Sequence, residues 1–263
     1  MNILDKIIAK KREEVRAAKE KVSKEELERF PLFNRTCFSL KEFVLAKERT
    51  GIIAEYKRAS PSKGIINNHS GVEEVVRGYA DAGASAVSVL TDHEFFSGSL
   101  TDLTEARKAI DIPVLRKDFI IDEYQITEAK AHGADIILLI AAALGANELA
   151  LLARYAKQLG LNVLLEIHNE EELRDNLLEE VDAIGVNNRN LKDFSVSIDH
   201  SLDLVDKIPD RYIKVSESGI SDPAIINKLK KAGFDAFLVG ENFMKTSDPA
   251  ASIHQFVKEL RER

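Results

Sequence analysis

Five apolar runs in this chain end in side chains that can move protons or hold anions. Glu55-Tyr56-Lys57 closes the first; Lys117-Asp118-Phe119, Glu166, Asn187-Asn188-Arg189 and Ser216-Glu217-Ser218 close four others. In an extended segment side chains alternate between two faces, so Glu55 and Lys57 point the same way and can act as an acid/base pair. Tyr56 and Asp118 have the opposite parity and are expected to pack or cap outside. Taken singly, Glu55 with Lys57 or Lys117 with Glu166 is equally well read as a structural ion pair. Five strand ends that all turn polar at one face point instead to a site, because a core has no use for so many charges.

Two further segments suit a phosphate. Ser218-Gly219-Ile220 and Val239-Gly240-Glu241-Asn242 place small residues before helix starts, where backbone amides can approach an anion. The loop Arg58 to Gly64, with Ser60, Pro61, Ser62 and Lys63, is polar, basic and long enough to close over a ligand. The six histidines are scattered without the spacing of a metal site or a Ser/His/Asp triad. No metal is expected, and His168 reads as a helix-start residue at the edge of the site.

The elements that position these residues repeat. A helical pattern ends at glycine, one residue follows, and a polar residue opens an apolar run. The junctions are Gly83-Ala84-Ser85, Gly133-Ala134-Asp135, Gly160-Leu161-Asn162 and Gly233-Phe234-Asp235. Each glycine suits a left-handed helix cap, and the unbroken Val, Ile and Leu runs suit parallel strands covered on both faces. Eight such strands are expected between residues 51 and 241: GIIAEYK, AVSVLT, PVLRKDF, DIILLIA, NVLLEI, AIGVNNR, YIKVSES and AFLVGE. Between them lie helical patterns such as DPAIINKLKKAG, with Ser221 as its expected cap. Eight β-then-α units without a GxGxxG turn predict an α/β fold of the (β/α)8 TIM-barrel type. The phosphate segments then fall after strands seven and eight, where barrels commonly bind phosphate. Residues 1–263 read as one barrel domain, with 1–50 as an N-terminal helical cap. Its helix, Ile3 to Lys21, has Leu4, Ile7, Ile8 and Val15 on one stripe.

Composition fits a soluble enzyme and opposes other classes. A net charge of −7 disfavours nucleic acid and anionic membranes. Cys37 is the only cysteine, and the N-terminus lacks a continuous apolar h-region, so a cytoplasmic location is expected. The longest apolar run, Ile136 to Leu144, is far short of the ~20 residues that span a bilayer.

The segments IIAEYKRASPSKG, SVLTDHEFFSGSL, LRKDFIIDEYQI, LLEIHNEEEL, GVNNRNL, SESGI and LVGENFM, in this order, resemble the indole-3-glycerol phosphate synthase family over nearly the whole chain. The resemblance implies ring closure of 1-(2-carboxyphenylamino)-1-deoxyribulose 5-phosphate with loss of carbon dioxide and water, without cofactor or metal. It implies Lys117 as general acid, Lys57 as a cation for the substrate, and Glu166 as the carboxylate assisting proton removal and dehydration. Glu55 would shuttle protons or orient Lys117. Asn187 and Arg189 would position substrate and Phe119 would line the aromatic pocket; Ser60, Ser218, Gly219, Leu238, Gly240 and Glu241 complete the substrate and phosphate contacts. Glu241 and Asn242 stand where some members have small hydroxyl residues. The residues alone also admit a phosphoribosylanthranilate isomerase, a Schiff-base aldolase using Lys57 or Lys117, or an inactive barrel kept for binding. Beyond a phosphorylated small molecule, no partner is indicated.

Overall fold

A computed structural model describes residues 3–190 and 194–262; Leu191, the last residue of GVNNRNL, lies outside them. Eight parallel strands close a barrel: β1 (Ile52–Tyr56), β2 (Ala86–Leu90), β3 (Val114–Lys117), β4 (Ile136–Ile140), β5 (Asn162–Ile167), β6 (Ala183–Asn187), β7 (Ile213–Glu217) and β8 (Ala236–Val239). Each pairs with its sequence neighbours, and β8 pairs with β1. All eight expected strands are present, and at least one helix follows each of them. Among the described residues no helix is long and apolar enough to cross a membrane.

The glycine junctions have a physical explanation. Gly233 caps its helix at φ 107°, and Gly83, Gly133 and Gly160 are likewise left-handed. The polar residue that follows ties adjacent strands at the bottom of the barrel. Ser85 accepts from Gly51 N at 3.0 Å, Asp135 from Val114 N at 2.8 Å and Asp235 from Lys214 N at 2.8 Å. A buried amide that lacks a strand partner is thereby satisfied. The helix Pro223–Ala232 is capped by Asp222, which accepts from Ala224 N, and not by Ser221. Asp and Ser both cap well, and the chain's path into the first turn selects Asp222.

Residues 3–50 cover both ends of the barrel. The helix α1 (Ile3–Lys21) brings Ile3, Leu4 and Ile7 to the upper mouth. Leu4, Ile7 and Val15 of its expected stripe are buried, Ile8 is half-buried, and Lys11 joins the buried set. The short helix Leu40–Leu45 closes the other end, where Leu40 and Val44 pack with Ile53, Ile213 and Ala236 in the interior. Leu40 N donates to Asn162 at the start of β5. A second, larger apolar layer, including Tyr56, lies between strands and helices.

Candidate active site

Strand pairing sets the heights of the polar ends. Leu90 is level with Lys117, Ile140 with Glu166, and Asn187 with Glu217. The inward parity that buries Ile53, Leu115, Leu138, Leu164 and Val215 in the barrel interior therefore brings Glu55, Lys117, Glu166, Asn187 and Glu217 together above them. Over this layer opens a cavity of about 580 Å³. Glu55, Lys57, Ser60, Lys117, Phe119, Glu166, Asn187, Arg189, Ser218, Gly219, Leu238, Gly240 and Glu241, all expected from sequence at one site, line this one cavity.

Lys117 is the hub. Its Nζ lies 3.0 Å from Glu217 Oε2, 3.7 Å from Glu55 Oε2 and 3.9 Å from Glu166 Oε2, and its side chain is 15% exposed. Burial works against the charge, but Glu217, Glu55 and Glu166 outweigh it and hold the amine protonated well above the usual lysine range. Lys57 pairs with Glu55 Oε1 at 2.8 Å. Burial likewise opposes ionisation of Glu55, and Lys57 and Lys117 overcome it, so its carboxyl titrates below the usual range. Asn187 donates to Glu166 Oε1 at 2.9 Å and accepts from Ser218 Oγ at 2.9 Å.

Glu217 was visible in the sequence as a polar strand end and received no role. It is 1% exposed and, among the described residues, makes the shortest ion pair with Lys117 while its Oε1 has no hydrogen-bond partner. Burial, with Glu166 nearby and only Lys117 opposing, pushes it up to about 7. Gly185 makes its room, since a Cβ there would stand 2.1 Å from Glu217 Oε1. That glycine on the facing strand is the signal that could have drawn attention to the carboxylate.

The walls differ in character. One side is apolar, with Ile3, Leu4 and Ile7 of α1 joining Phe96, Phe119 and Leu238. Neither α1 nor Phe96 was expected to contribute to the site. Another part of the lining is polar, with Ser60, Lys63, Arg189, Ser218-Gly219 and Gly240-Glu241, and both Lys63 and Arg189 approach Glu241. Backbone turns left-handed at both Ser218 (φ 68°) and Gly219 (φ 77°). Gly240 answers a packing demand: a Cβ there would stand 2.6 Å from Glu55 Oε1. Tyr56 and Asp118 face away from the barrel axis as their parity requires. Tyr56 donates to Ser70 O, and Asp118 pairs with Lys11 and Arg116.

A closed (β/α)8 barrel with a lysine set among carboxylates at the C-terminal ends of its strands defines a barrel enzyme of proton-transfer chemistry. The sequence profile described as "Indole-3-glycerol phosphate synthase" matches residues 4–256. The chain therefore belongs to the indole-3-glycerol phosphate synthase family, whose members are carboxy-lyases of tryptophan biosynthesis. A protein of that name from Bacteroides thetaiotaomicron is 48% identical over 260 residues, covering 99% of both chains. Solved structures of similar fold include a 3-hexulose-6-phosphate synthase from Salmonella typhimurium, with TM-score 0.63, 14% identity and coverage of 80% of this chain and 98% of that one. A mandelate oxidase matches with TM-score 0.64 and 17% identity, covering 90% of this chain and 81% of that one. At such identities these two speak for the fold alone.

Proposed function

We propose that the cavity closes the indole ring of 1-(2-carboxyphenylamino)-1-deoxyribulose 5-phosphate in the cytoplasm, with all of the chain acting as one catalytic unit. The observation that carries this reading is Lys117, held protonated within 3.9 Å of three carboxylates at the floor of the cavity. Lys117 donates its proton to the substrate carbonyl oxygen as the ring carbon bearing the carboxylate attacks the carbonyl carbon. The carboxylate leaves as carbon dioxide and restores the electrons to the ring. Lys117, reprotonated by Glu217, then protonates the new hydroxyl so that it departs as water, and loss of the adjacent carbon-bound proton to Glu166 completes the indole. Glu55 and Glu217 hold Lys117 in place, and Glu217, poised near neutrality, exchanges a proton with it. The aromatic ring suits the apolar wall with Phe119 and Leu238. Lys57, Asn187 and Arg189 position the substrate, and Ser60, Ser218, Gly219 and the backbone at Gly240 receive the phosphate.

The test is incubation with this substrate while indole fluorescence and released carbon dioxide are followed. Both signals are expected. Carbon dioxide without an indole signal, or neither from folded protein, would falsify the reading. Rival chemistries separate cleanly, since an isomerase releases no carbon dioxide and a Schiff-base aldolase is trapped covalently by borohydride.

A further inference from the structure

His168 lies just past β5, two residues beyond Glu166, and does not line the cavity. Its side chain is 12% exposed, and among the described residues neither ring nitrogen has a hydrogen-bond partner. Each nevertheless faces a carboxylate: Nε2 is 3.5 Å from Glu166 Oε1, and Nδ1 is 3.5 Å from Glu172 Oε2. Glu172, in the helix Glu170–Asp175, is itself fixed, accepting from His168 N at 2.8 Å and from the Asn169 side chain at 2.8 Å. Two further groups approach from neighbouring elements: Glu217 of β7, which favours the charged ring, and the His200 ring, which contacts the His168 carbonyl from the helix Asp199–Leu204.

A neutral imidazole has one N–H and one lone pair. Between two carboxylates the lone pair would confront a negative oxygen whichever tautomer formed. The imidazolium presents a donor to both. Burial opposes that charge, but the proximity of Glu172 and Glu166 outweighs it and raises the ring above the usual histidine range.

The division of Glu166's two oxygens gives this charge a use. Oε1 receives Asn187 and faces His168, while Oε2 is the oxygen toward Lys117 Nζ. We propose that His168 is a positioning residue for the reaction, its imidazolium fixing one oxygen of Glu166 so that the other stays directed at the reacting centre. The proposal rests on Glu166 as the proton acceptor described above.

The test compares His168→Gln with the wild-type chain in the pH dependence of kcat and kcat/KM on the carboxyphenylamino substrate. Glutamine keeps a donor and comparable bulk but carries no charge. We expect kcat to fall roughly tenfold with KM within about twofold, a fraction of what the general base itself contributes. The acid limb of the profile should move to higher pH, because a cation that favours the ionised carboxylate has gone. Loss of activity without movement of that limb would mark a packing role and overturn the proposal, as would an unchanged variant. A measurement that needs no variant is the nitrogen-15 titration of His168 in the full chain, which should show an imidazolium at neutral pH; a neutral ring there overturns it as well. Glu166→Gln separates the two readings. If that variant is fully active, the assignment of Glu166 fails first; if it is inactive while His168→Gln is normal, only the present inference fails.

Discussion

Consecutive residues of β3 belong to two charge clusters on opposite sides of the barrel wall. Arg116 and Asp118 face outward and join Lys11, Asp92 and Glu128 beneath α1; Lys117 faces inward among Glu55, Glu166 and Glu217. Both clusters are buried, and they differ in how completely their atoms are satisfied. Asp118 accepts from Lys11 at 3.0 Å, Phe119 N at 2.8 Å, Thr91 Oγ1 at 2.6 Å and Arg116 Nη2 at 3.0 Å. Arg116 also donates to Thr91 and Gln125 O and pairs with Glu128. Burial opposes ionisation of Asp118, but Arg116 and Lys11 overcome it and hold the carboxyl at about 2. Inside, Glu217 Oε1 and the Oγ of Ser88, which is level with Glu55, have no hydrogen-bond partner among the described residues. The outer cluster is a clasp in which Asp118 and the two cations are each bound several times over, whereas the inner one leaves an acceptor open.

The largest effect expected from breaking this contrast is kinetic. Lys117→Ala and, separately, Glu166→Gln should each lower turnover by about 10²–10⁴-fold, the span of a lost general acid or base. The fold should persist, as circular dichroism would show, because the carboxylates left by Lys117→Ala border the cavity or one another and can take up a proton. Near-normal turnover in the lysine variant would remove it from the chemistry, and a glutamine variant changed only in KM would do the same for Glu166.

Breaking the clasp should do the reverse. Lys11 is 4% exposed, with Nζ 2.7 Å from Asp92, 3.0 Å from Asp118 and 2.7 Å from Glu14. Removing one partner from a buried ion cluster typically costs about 3–5 kcal/mol, because the charges left behind stay buried. At about 2–4 °C per kcal/mol for a chain near this size, Lys11→Ala should lower the unfolding midpoint by roughly 10 °C. Lys11→Met with Asp92→Asn should recover part of that loss. A drop under about 2 °C for the single variant would mean that α1 is not clasped through this lysine.

The two clusters should also oppose each other in pH. The folded Asp118 carboxyl titrates at about 2 against an ordinary 3.8, so its contribution is present above the ordinary value and lost as pH falls through 2. Glu217 titrates at about 7 against 4.5, so its protonated form is favoured in the fold; that contribution is full below 4.5 and lost as pH rises through 7. Against Glu217→Gln, wild-type midpoints should therefore drift downward from about pH 5 to pH 8. A flat difference would show that Glu217 titrates ordinarily.

Much of the inner cluster was legible because parity and strand ends are local properties. Glu55, Lys117, Glu166 and Asn187 follow from counting residues along strands that were themselves plain in Val, Ile and Leu. The outer clasp was not, for two reasons. Lys11 occupies a place in α1's apolar stripe where a lysine ordinarily reads as solvated, and its partners Asp92 and Asp118 lie some eighty and a hundred residues away. The split of residues 3–50 between both barrel ends was hidden similarly, since the helix Leu40–Leu45 is too short for its pattern to say which end it closes. Gly240 was expected to admit a phosphate, and the space a side chain would take there is also bounded by Glu55. A substitution there would disturb both ends of the site, so Gly240→Val cannot separate phosphate binding from chemistry.

The smallest effect sharpens the contrast at the rim, where charges are neither clasped nor poised. Glu241 Oε1 lies 3.8 Å from Lys63 Nζ and Oε2 lies 3.9 Å from Arg189 Nη2, and its side chain is 38% exposed. It stands among the groups assigned to the phosphate and carries the phosphate's own sign of charge. An incoming dianion would displace this carboxylate from both cations and feel its repulsion. Pairs this long and this wet contribute about 0–1 kcal/mol each. Glu241→Gln, which keeps the shape and removes the charge, should therefore tighten inorganic phosphate and lower KM by about two- to fivefold with kcat unchanged. The gain should shrink with added salt, because exposed charges are screened within about 10 Å at 0.1 M. If calorimetry instead showed weaker phosphate binding in this variant, the Glu241 carboxylate would be holding Lys63 and Arg189 in their binding positions, and the rim would belong with the clasp.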